Sequence, residues 1–492
     1  MSEGKRLHPI AILLNVGKIL KEAFIPVMLF VVFQSGNDSA WSYIELLILG
    51  AYFLGSLLYG ALSWFKFTYQ IVEDEIRIHS GIFVKKKRYI RLERIQSIDI
   101  TEGIIQRFFS LVKVTIETAG SSNGGEAEGE LTAITKDEAA LFQTLLQVSK
   151  KKSISVDGGE ELSAESENGT RQERKLFEMP FGQLFLMAAT SGGVGVVFSG
   201  AFVLYSQFSE VIALNGVYED VEKLVRSSMV LVAGLIFIGI VLAYLIATVR
   251  VILKYAYFTV FKSGDELIIS RGLFERRRLS IPIHRIQAVR IVENIVRQPF
   301  GYATLYVETA SGSIQNEGNA KVMLLPLVKK EYIKSLLASF EIKYEVELPM
   351  KHVPKRAMRR YLFRALLWNI PLIAFSYLFK PFGYVFILWL PLCIAVGYAS
   401  YRSASWNIEK KQLTLVFRQI ISKQTYIVLN NKIQSFTLKQ SKFQRKQLLG
   451  TVCVYSKTGI GPSRGRVIDL EQEDLSTIKE WFMQNHSVRK TG

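Results

Sequence analysis

Apolar residues along this chain gather into six blocks, and the blocks come in pairs. They cover roughly residues 20–36, 42–64, 181–205, 228–249, 361–379 and 382–401. Each approaches the about 20 mostly apolar residues that a helix needs to cross a bilayer. Pro26 interrupts the first, and the fourth carries no charge from Met229 to Val249. Connectors within pairs are short, whereas long polar stretches follow each pair. In those stretches apolar and polar residues alternate as in half-buried strands, for example Glu75-Ile-Arg-Ile-His and Leu279-Ser280-Ile281-Pro282-Ile283. Each stretch closes in a helical pattern, at Lys136 to Val148, Lys329 to Phe340 and Leu475 to Asn485.

The same signals recur in order. Placing Gly81 on Gly272 sets Arg94-Ile95-Gln96 on Arg285-Ile286-Gln287 and Val114 to Ala119 on Leu305 to Ala310 without a gap. A third copy places Lys432-Ile433-Gln434 there, and a two-residue insertion then brings in Gly450 to Thr458. His8-Pro9, Met179-Pro180 and Val353-Pro354 precede the three helical pairs. A repeat of this length sets the architecture: one unit, used three times. Gly81, Gly272, Arg94, Gln96, Arg285, Gln287, Lys432 and Gln434 are its structural signature.

The expected fold is an α+β membrane protein with six transmembrane helices in three pairs. Each pair leads into a bent antiparallel sheet closed by a C-terminal helix. The expected division is an interfacial lead-in and first pair over 1–66, a soluble domain over 67–150 and a flexible acidic linker over 151–175. The second pair and domain take 176–254 and 255–345, the third 350–402 and 403–488.

Charge adds sidedness. Lys and Arg number 61 against 43 Asp and Glu, a net charge of +18. Basic residues crowd the outer ends of the pairs, among them Lys66, Arg250, Lys254, Lys355, Arg356 and Arg402, while the inner connectors hold only Lys223, Arg226 and Lys380. The positive-inside rule therefore puts both termini and all three domains in the cytoplasm. Two cysteines, Cys393 and Cys453, imply no disulfide framework.

The Gly-Ile/Leu-Phe turn, the Ile-Pro-Ile-His-Arg-Ile-Gln segment at 281–287 and the Arg297-Gln-Pro-Phe-Gly-Tyr-Ala-Thr-Leu segment leading to Glu-Thr-Ala at 310 resemble the bacterial pleckstrin-homology-like (PH-like) membrane protein family, in its three-domain form. The second copy fits best. The first has Arg91 where the pattern has Pro, and the third has Gln419 in place of the turn glycine. The resemblance implies a PH-like fold tethered at the membrane, a smaller single-domain companion, and no established enzymatic activity.

Candidate chemistry is sparse. The five histidines are not at metal-ligand spacing. Gly120 to Gly129 lacks the Lys and Ser/Thr of a phosphate loop and reads as a hairpin tip. No cofactor, metal or catalytic group is expected. In the apolar blocks, Glu45 and Arg364 lie near span ends, where they reach the interface. The small-residue run from Ser191 to Gly200 suits close helix packing.

A basic cluster follows the turn: Lys85-Lys86-Lys87 in the first copy, Arg276-Arg277-Arg278 in the second and Lys423 in the third. These residues are candidates for lipid or partner contact, at a scale of about 1 kcal/mol per charge near an anionic surface. The bland alternative is a charged edge that blocks stray strand pairing. Nucleic acid is not expected, because exposed aromatics are not interleaved with the charges. The leading expectation is a scaffold in the cell envelope, with a membrane-protein partner or self-association. The alternatives are a transport or export accessory and a sensor of anionic lipid.

Overall fold

A computed structural model describes residues 4–34, 41–72, 74–118, 129–142, 144, 173–191, 229–309, 321–367, 370, 383–419, 422–457 and 463–487. The first copy contributes strands β1 (Thr68–Val72), β2 (Glu75–Ser80), β3 (Lys86–Arg91), β4 (Ile95–Glu102), β5 (Leu111–Thr118) and β6 (Gly129–Thr135). The second adds β7 (Arg174–Glu178), β8 (Thr259–Ser263), β9 (Glu266–Arg271), β10 (Arg276–Pro282), β11 (Ile286–Glu293), β12 (Tyr302–Thr309) and β13 (Lys321–Lys329). The third adds β14 (Lys351–His352), β15 (Ser405–Glu409), β16 (Gln412–Gln419), β17 (Ser422–Leu429), β18 (Ile433–Lys439), β19 (Leu449–Ser456) and β20 (Ser463–Glu471). All strand pairs are antiparallel. Helices over 136–142, Lys330–Ser339 and Gln472–Ser487 close the copies.

Each copy is two sheets meeting at a corner, and the repeated Arg/Lys-Ile-Gln motif marks it. A one-turn 3-10 helix occupies Leu92–Arg94, Ile283–Arg285 and Asn430–Lys432. Its first amide donates to the carbonyl of Asp74, Asp265 or Lys411, at 2.8, 2.9 and 2.8 Å. Ile95, Ile286 and Ile433 then enter the second sheet as buried residues.

The turn glycines earlier in the copies are held by backbone geometry. Gly81 and Gly272 have φ of +103° and +105°, and a Cβ there would meet the carbonyl oxygen of Val84 or Glu275 at 1.9 or 2.0 Å. The third copy avoids the need. Its hairpin ladder runs on to Gln419 opposite Ser422, so β16 is two residues longer than β2 or β9.

Two sequence expectations change. No insertion separates the third copy from the others: Ile286 pairs with Thr309 as Ile433 pairs with Ser456, and Gly301 and Leu448 share the left-handed backbone at equivalent turns. Sequence likeness alone carries the match to Gly450–Thr458 past that turn, whereas the ladder fixes the register. The proline lead-ins also join the sheets. Lys5 bridges Tyr69, β7 pairs with β8, and β14 pairs with β15, so each lead-in borders the first sheet of its own copy. β7 opens at Arg174, within the segment read as linker.

Helices Ala11–Gln34, Trp41–Lys66, Met229–Tyr255 and Gly383–Ser403 coincide with four of the six apolar blocks. Phe181–Thr190 and Met358–Leu367 begin the other two. Among the described residues no helix is long and apolar enough to cross a membrane. Many side chains in these helices, Glu45 among them, lie outside the described residues, as do Gly192 to Gly200, the segment 151–172 and the loop 120–128.

Candidate functional site: the strand junctions between copies

The second sheet of one copy does not end at its own edge. β4 of the first copy pairs with β10 of the second, and β11 of the second pairs with β17 of the third. Two seven-stranded sheets result, ordered β6-β5-β4-β10-β9-β8-β7 and β13-β12-β11-β17-β16-β15-β14. At the two ends remain β1-β2-β3 and β18-β19-β20, sheets of three strands. The edge strand is the natural joint because its backbone donors and acceptors on one side have no partner within the copy.

Both junctions use one register, and the basic cluster lies in it. Arg276 stands opposite Glu102, and its counterpart Lys423 stands opposite Glu293, the counterpart of Glu102. The Lys423 Nζ lies 3.5 Å from the buried Glu293 carboxylate, which also meets Lys330. Arg277 bonds Glu275 at 3.0 Å, and Arg278 pairs with Glu173. Arg277, Arg278 and Lys423 are thus engaged within the chain, whereas Arg276 is exposed and the Glu102 carboxylate opposite it pairs with Lys136 at 3.1 Å. Lys85 precedes β3 and Lys86 and Lys87 open it; all three are exposed, with no ion pair seen among the described residues.

The remaining motif residues fall at the corners. Arg94 is exposed at the first. The Gln287 amide donates to the Arg285 carbonyl at 2.9 Å, and Lys432 reaches across the junction to the His284 carbonyl at 3.0 Å. Burial and the nearby Arg285 lower the Lys432 pKa. Gln434 is exposed, and the Gln96 side chain lies outside the described residues.

Sequence reasoning did not single out the residue that seals the second junction. Arg290, on β11, is 2 % exposed. Its Nε donates to Glu308 Oε1 at 2.9 Å, Nη1 to Gln424 Oε1 at 2.6 Å, and Nη2 to Ser463 Oγ at 3.0 Å and the Arg464 carbonyl at 3.1 Å. Ser463 and Ser456 donate to Glu308 at 2.6 and 3.2 Å. The Tyr426 ring lies 4.7 Å from the guanidinium carbon. Gly465 admits that ring, since a Cβ would approach Tyr426 to 2.3 Å. Arg290 and Glu308 both belong to the second copy and Gln424, Tyr426, Ser456 and Ser463 to the third, so a charge pair of one copy is satisfied by polar side chains of the next. Burial raises the Tyr426 hydroxyl pKa, and Glu308 adds to the rise.

At the first junction the position of Arg290 holds Asp99, opposite Leu279. A small cavity there is lined by Asp99, Arg271, Arg277 and Met323 among others. Burial raises the Asp99 pKa, an effect that Arg277, Arg271 and Lys113 only partly offset.

One buried polar position recurs in each copy, Gln106, Arg297 or Gln444, and in the second and third copies it ties the domain to its helices while Gln106 bonds a strand of its own copy. Gln106 donates to the Thr132 carbonyl at 2.7 Å. Arg297 donates to Thr190 Oγ1 at 2.7 Å and the Met187 carbonyl at 3.1 Å, both on the helix that opens the second pair. Gln444 donates at 2.8 Å to Asp469, whose carboxylate also binds Arg360 at 3.0 Å and Arg364 at 2.5 Å. Arg364, read from sequence as reaching the interface, is committed to this ion pair.

Among the described residues no three His, Cys, Asp or Glu side chains are grouped to hold a metal ion. The geometry here is that of association between strand edges.

Comparison with known proteins agrees with the repeat. The family model described as "Bacterial PH domain" matches three times, over residues 14–150, 211–341 and 363–486. The chain is similar to the transmembrane protein YdbT of Bacillus subtilis (strain 168), at 36% identity over 493 residues that cover 98% of both chains. With three matched copies, each built of antiparallel sheets and a closing helix, this chain belongs to the bacterial PH domain family.

Proposed function

We propose that the protein is a membrane-tethered scaffold that holds three PH-like domains in a fixed row for association with other proteins in the cell envelope. The observation that carries this reading is the strand pairing across both junctions, which turns three repeats into one array whose end strands pair on one side only among the described residues. A relative named as a transmembrane protein supports the membrane tether. In this reading the six apolar blocks span the bilayer in three pairs, with both termini and all domains cytoplasmic. The domains act by binding, without catalysis. Cysteine labelling in intact cells tests the orientation: Ser122→Cys and Lys446→Cys should react only after permeabilisation. Chemical cross-linking in native membranes should give a defined higher-mass species, and a lone monomer under all conditions would remove the scaffold.

A second reading, contact with anionic lipid, draws on a different feature. The corners between strands four and five expose Ile104, Ile105 and Phe108 in the first copy, Ile295, Val296 and Phe300 in the second, and Phe443 and Leu448 in the third. Arg297 ties one such corner to the helix Phe181–Thr190, and Arg360 donates to the Phe443 carbonyl at another. Apolar tips beside membrane helices fit insertion at the lipid interface. An environment-sensitive dye on Phe108→Cys in the full chain should shift to the blue in bilayer discs and keep its aqueous spectrum if the tip stays in water.

A further inference from the structure

Among the described residues the array is open at both ends, and its ends do not match each other. At each internal junction the register sets a basic residue at the start of the incoming strand opposite a glutamate at the end of the outgoing strand: Arg276 opposite Glu102, whose carboxylate meets Lys136, and Lys423 opposite Glu293, where the two pair directly. The next incoming strand of this kind is β3, preceded by Lys85 at the position of Arg276. It is the edge of a three-stranded sheet, and Lys85, Lys86 and Lys87 are exposed. The outgoing strand left over is β18, the edge of the other three-stranded sheet. There the glutamate position holds Gln440, preceded by Lys439.

Placing β18 of a second copy against β3 in the shared register would set Lys85 against Gln440 and Lys86 against Lys439. Like charges directly opposite one another across a ladder are destabilising. The missing acid and the added lysine select against self-association through these edges. A basic edge can serve simply to repel stray strands. In this molecule, however, the equivalent basic residues of the other two copies lie inside formed ladders, so the cluster is compatible with pairing when an acid stands opposite it.

We propose that β3 is an acceptor edge for an extended strand of a different polypeptide, one that pairs antiparallel and presents a carboxylate opposite Lys85. The template for that strand is within the chain: β4 and β11, each carrying buried isoleucines, Ile95 and Ile98 or Ile286 and Ile291, and ending in glutamate. This inference rests on the scaffold reading and names the surface and the partner chemistry for it.

The test uses the full-length protein in detergent, with hydrogen exchange read at residues 85–91. The probes are synthetic peptides spanning residues 286–293, the same peptide with Glu293→Gln, and residues 433–440. The 286–293 peptide in excess should slow exchange in β3 roughly tenfold, the Glu293→Gln peptide clearly less, and the 433–440 peptide not at all. Because Lys85 and Lys86 are exposed, Lys85→Glu with Lys86→Glu should fold normally, lose the protection by 286–293 and gain it from a Glu293→Lys peptide. No protection of β3 by any peptide, or protection indifferent to the Glu293 substitution, overturns the inference. Protection strongest with 433–440 overturns it in favour of a second copy. If cross-linked assemblies persist in the Lys85→Glu, Lys86→Glu protein while β3 stays unprotected, the scaffold stands and this edge falls. If β3 is protected but no assembly forms in membranes, the edge stands and the scaffold falls.

Discussion

Where the second and third copies meet, a guanidinium is buried against a carboxylate and both are satisfied by side chains from either copy. Where the first and second meet, the equivalent position is a buried aspartate beside a cavity. The second junction has six paired residues in its ladder, from Ala288 to Glu293, and the first has four, from Asp99 to Glu102. Core residues also cross the second: Ile427 of the third copy packs into the core of the second, and Ala288 of the second into that of the third. Among the described residues the core of the first copy takes no buried residue from its neighbour. One backbone register can therefore support a sealed joint or a loose one, depending on what occupies a single inward position.

The largest effect is expected from breaking the sealed joint. Arg290→Ala leaves Glu308 buried without its cation and should cost about 3–5 kcal/mol, read as a fall in the unfolding midpoint of the detergent-solubilised protein. Arg290→Met combined with Glu308→Leu should recover much of that loss, since the desolvation cost is removed with the pair. A double variant as unstable as Arg290→Ala would mean that the network does more than neutralise charge.

The loose joint should respond to pH instead. The Asp99 pKa in the folded protein lies above its value in the unfolded chain because burial disfavours the charged form. The folded state therefore binds more protons, and stability should decline as pH rises from the ordinary carboxylate range through the folded value, then level off. Hydrogen exchange in β4 and β10 should quicken over that window while β11 and β17 stay constant. Asp99→Asn should flatten the profile, and an unchanged profile would assign the dependence to another group.

The ionic rungs should matter least. Glu102→Gln removes a partly buried charge whose ion-pair partner, Lys136, is exposed, and should cost about 0.2–1 kcal/mol, an effect that shrinks with salt. Glu293→Gln should cost more, because that carboxylate is buried between Lys330 and Lys423. Equal effects at the two glutamates would erase this part of the contrast between the joints.

The strands, the turn glycines and the corner motif were legible because each is a local pattern repeated in register. Gly81 and Gly272 stand out since the backbone there excludes a Cβ. Pairing between copies was not legible, because alternation fixes which face of a strand is buried and says nothing about which neighbour lies beside it. A signal did exist: the copy-to-copy equivalence of Glu102 with Glu293 puts an acid at the end of one strand and a base at the start of its mate in the next copy. The buried role of Arg290 was hidden for a related reason. A charged residue in an alternating strand reads as solvent-facing, and here the partners that seal it in, Gln424 and Ser463, lie 134 and 173 positions away. The lead-in strands were missed because two to five residues beside a proline carry too little periodicity to register.

The continuous sheets have a mechanical consequence. A helix pair that tilts or shifts pulls on its domain, and the next domain is gripped through a ladder of backbone bonds lying side by side. A load along the strands shears those bonds together instead of peeling them one at a time. The second joint, with its longer ladder and buried clamp, is the stiffer coupling, while the first is the compliant one. Strain entering at the third pair would thus pass to the second nearly intact and be absorbed before it reached the first.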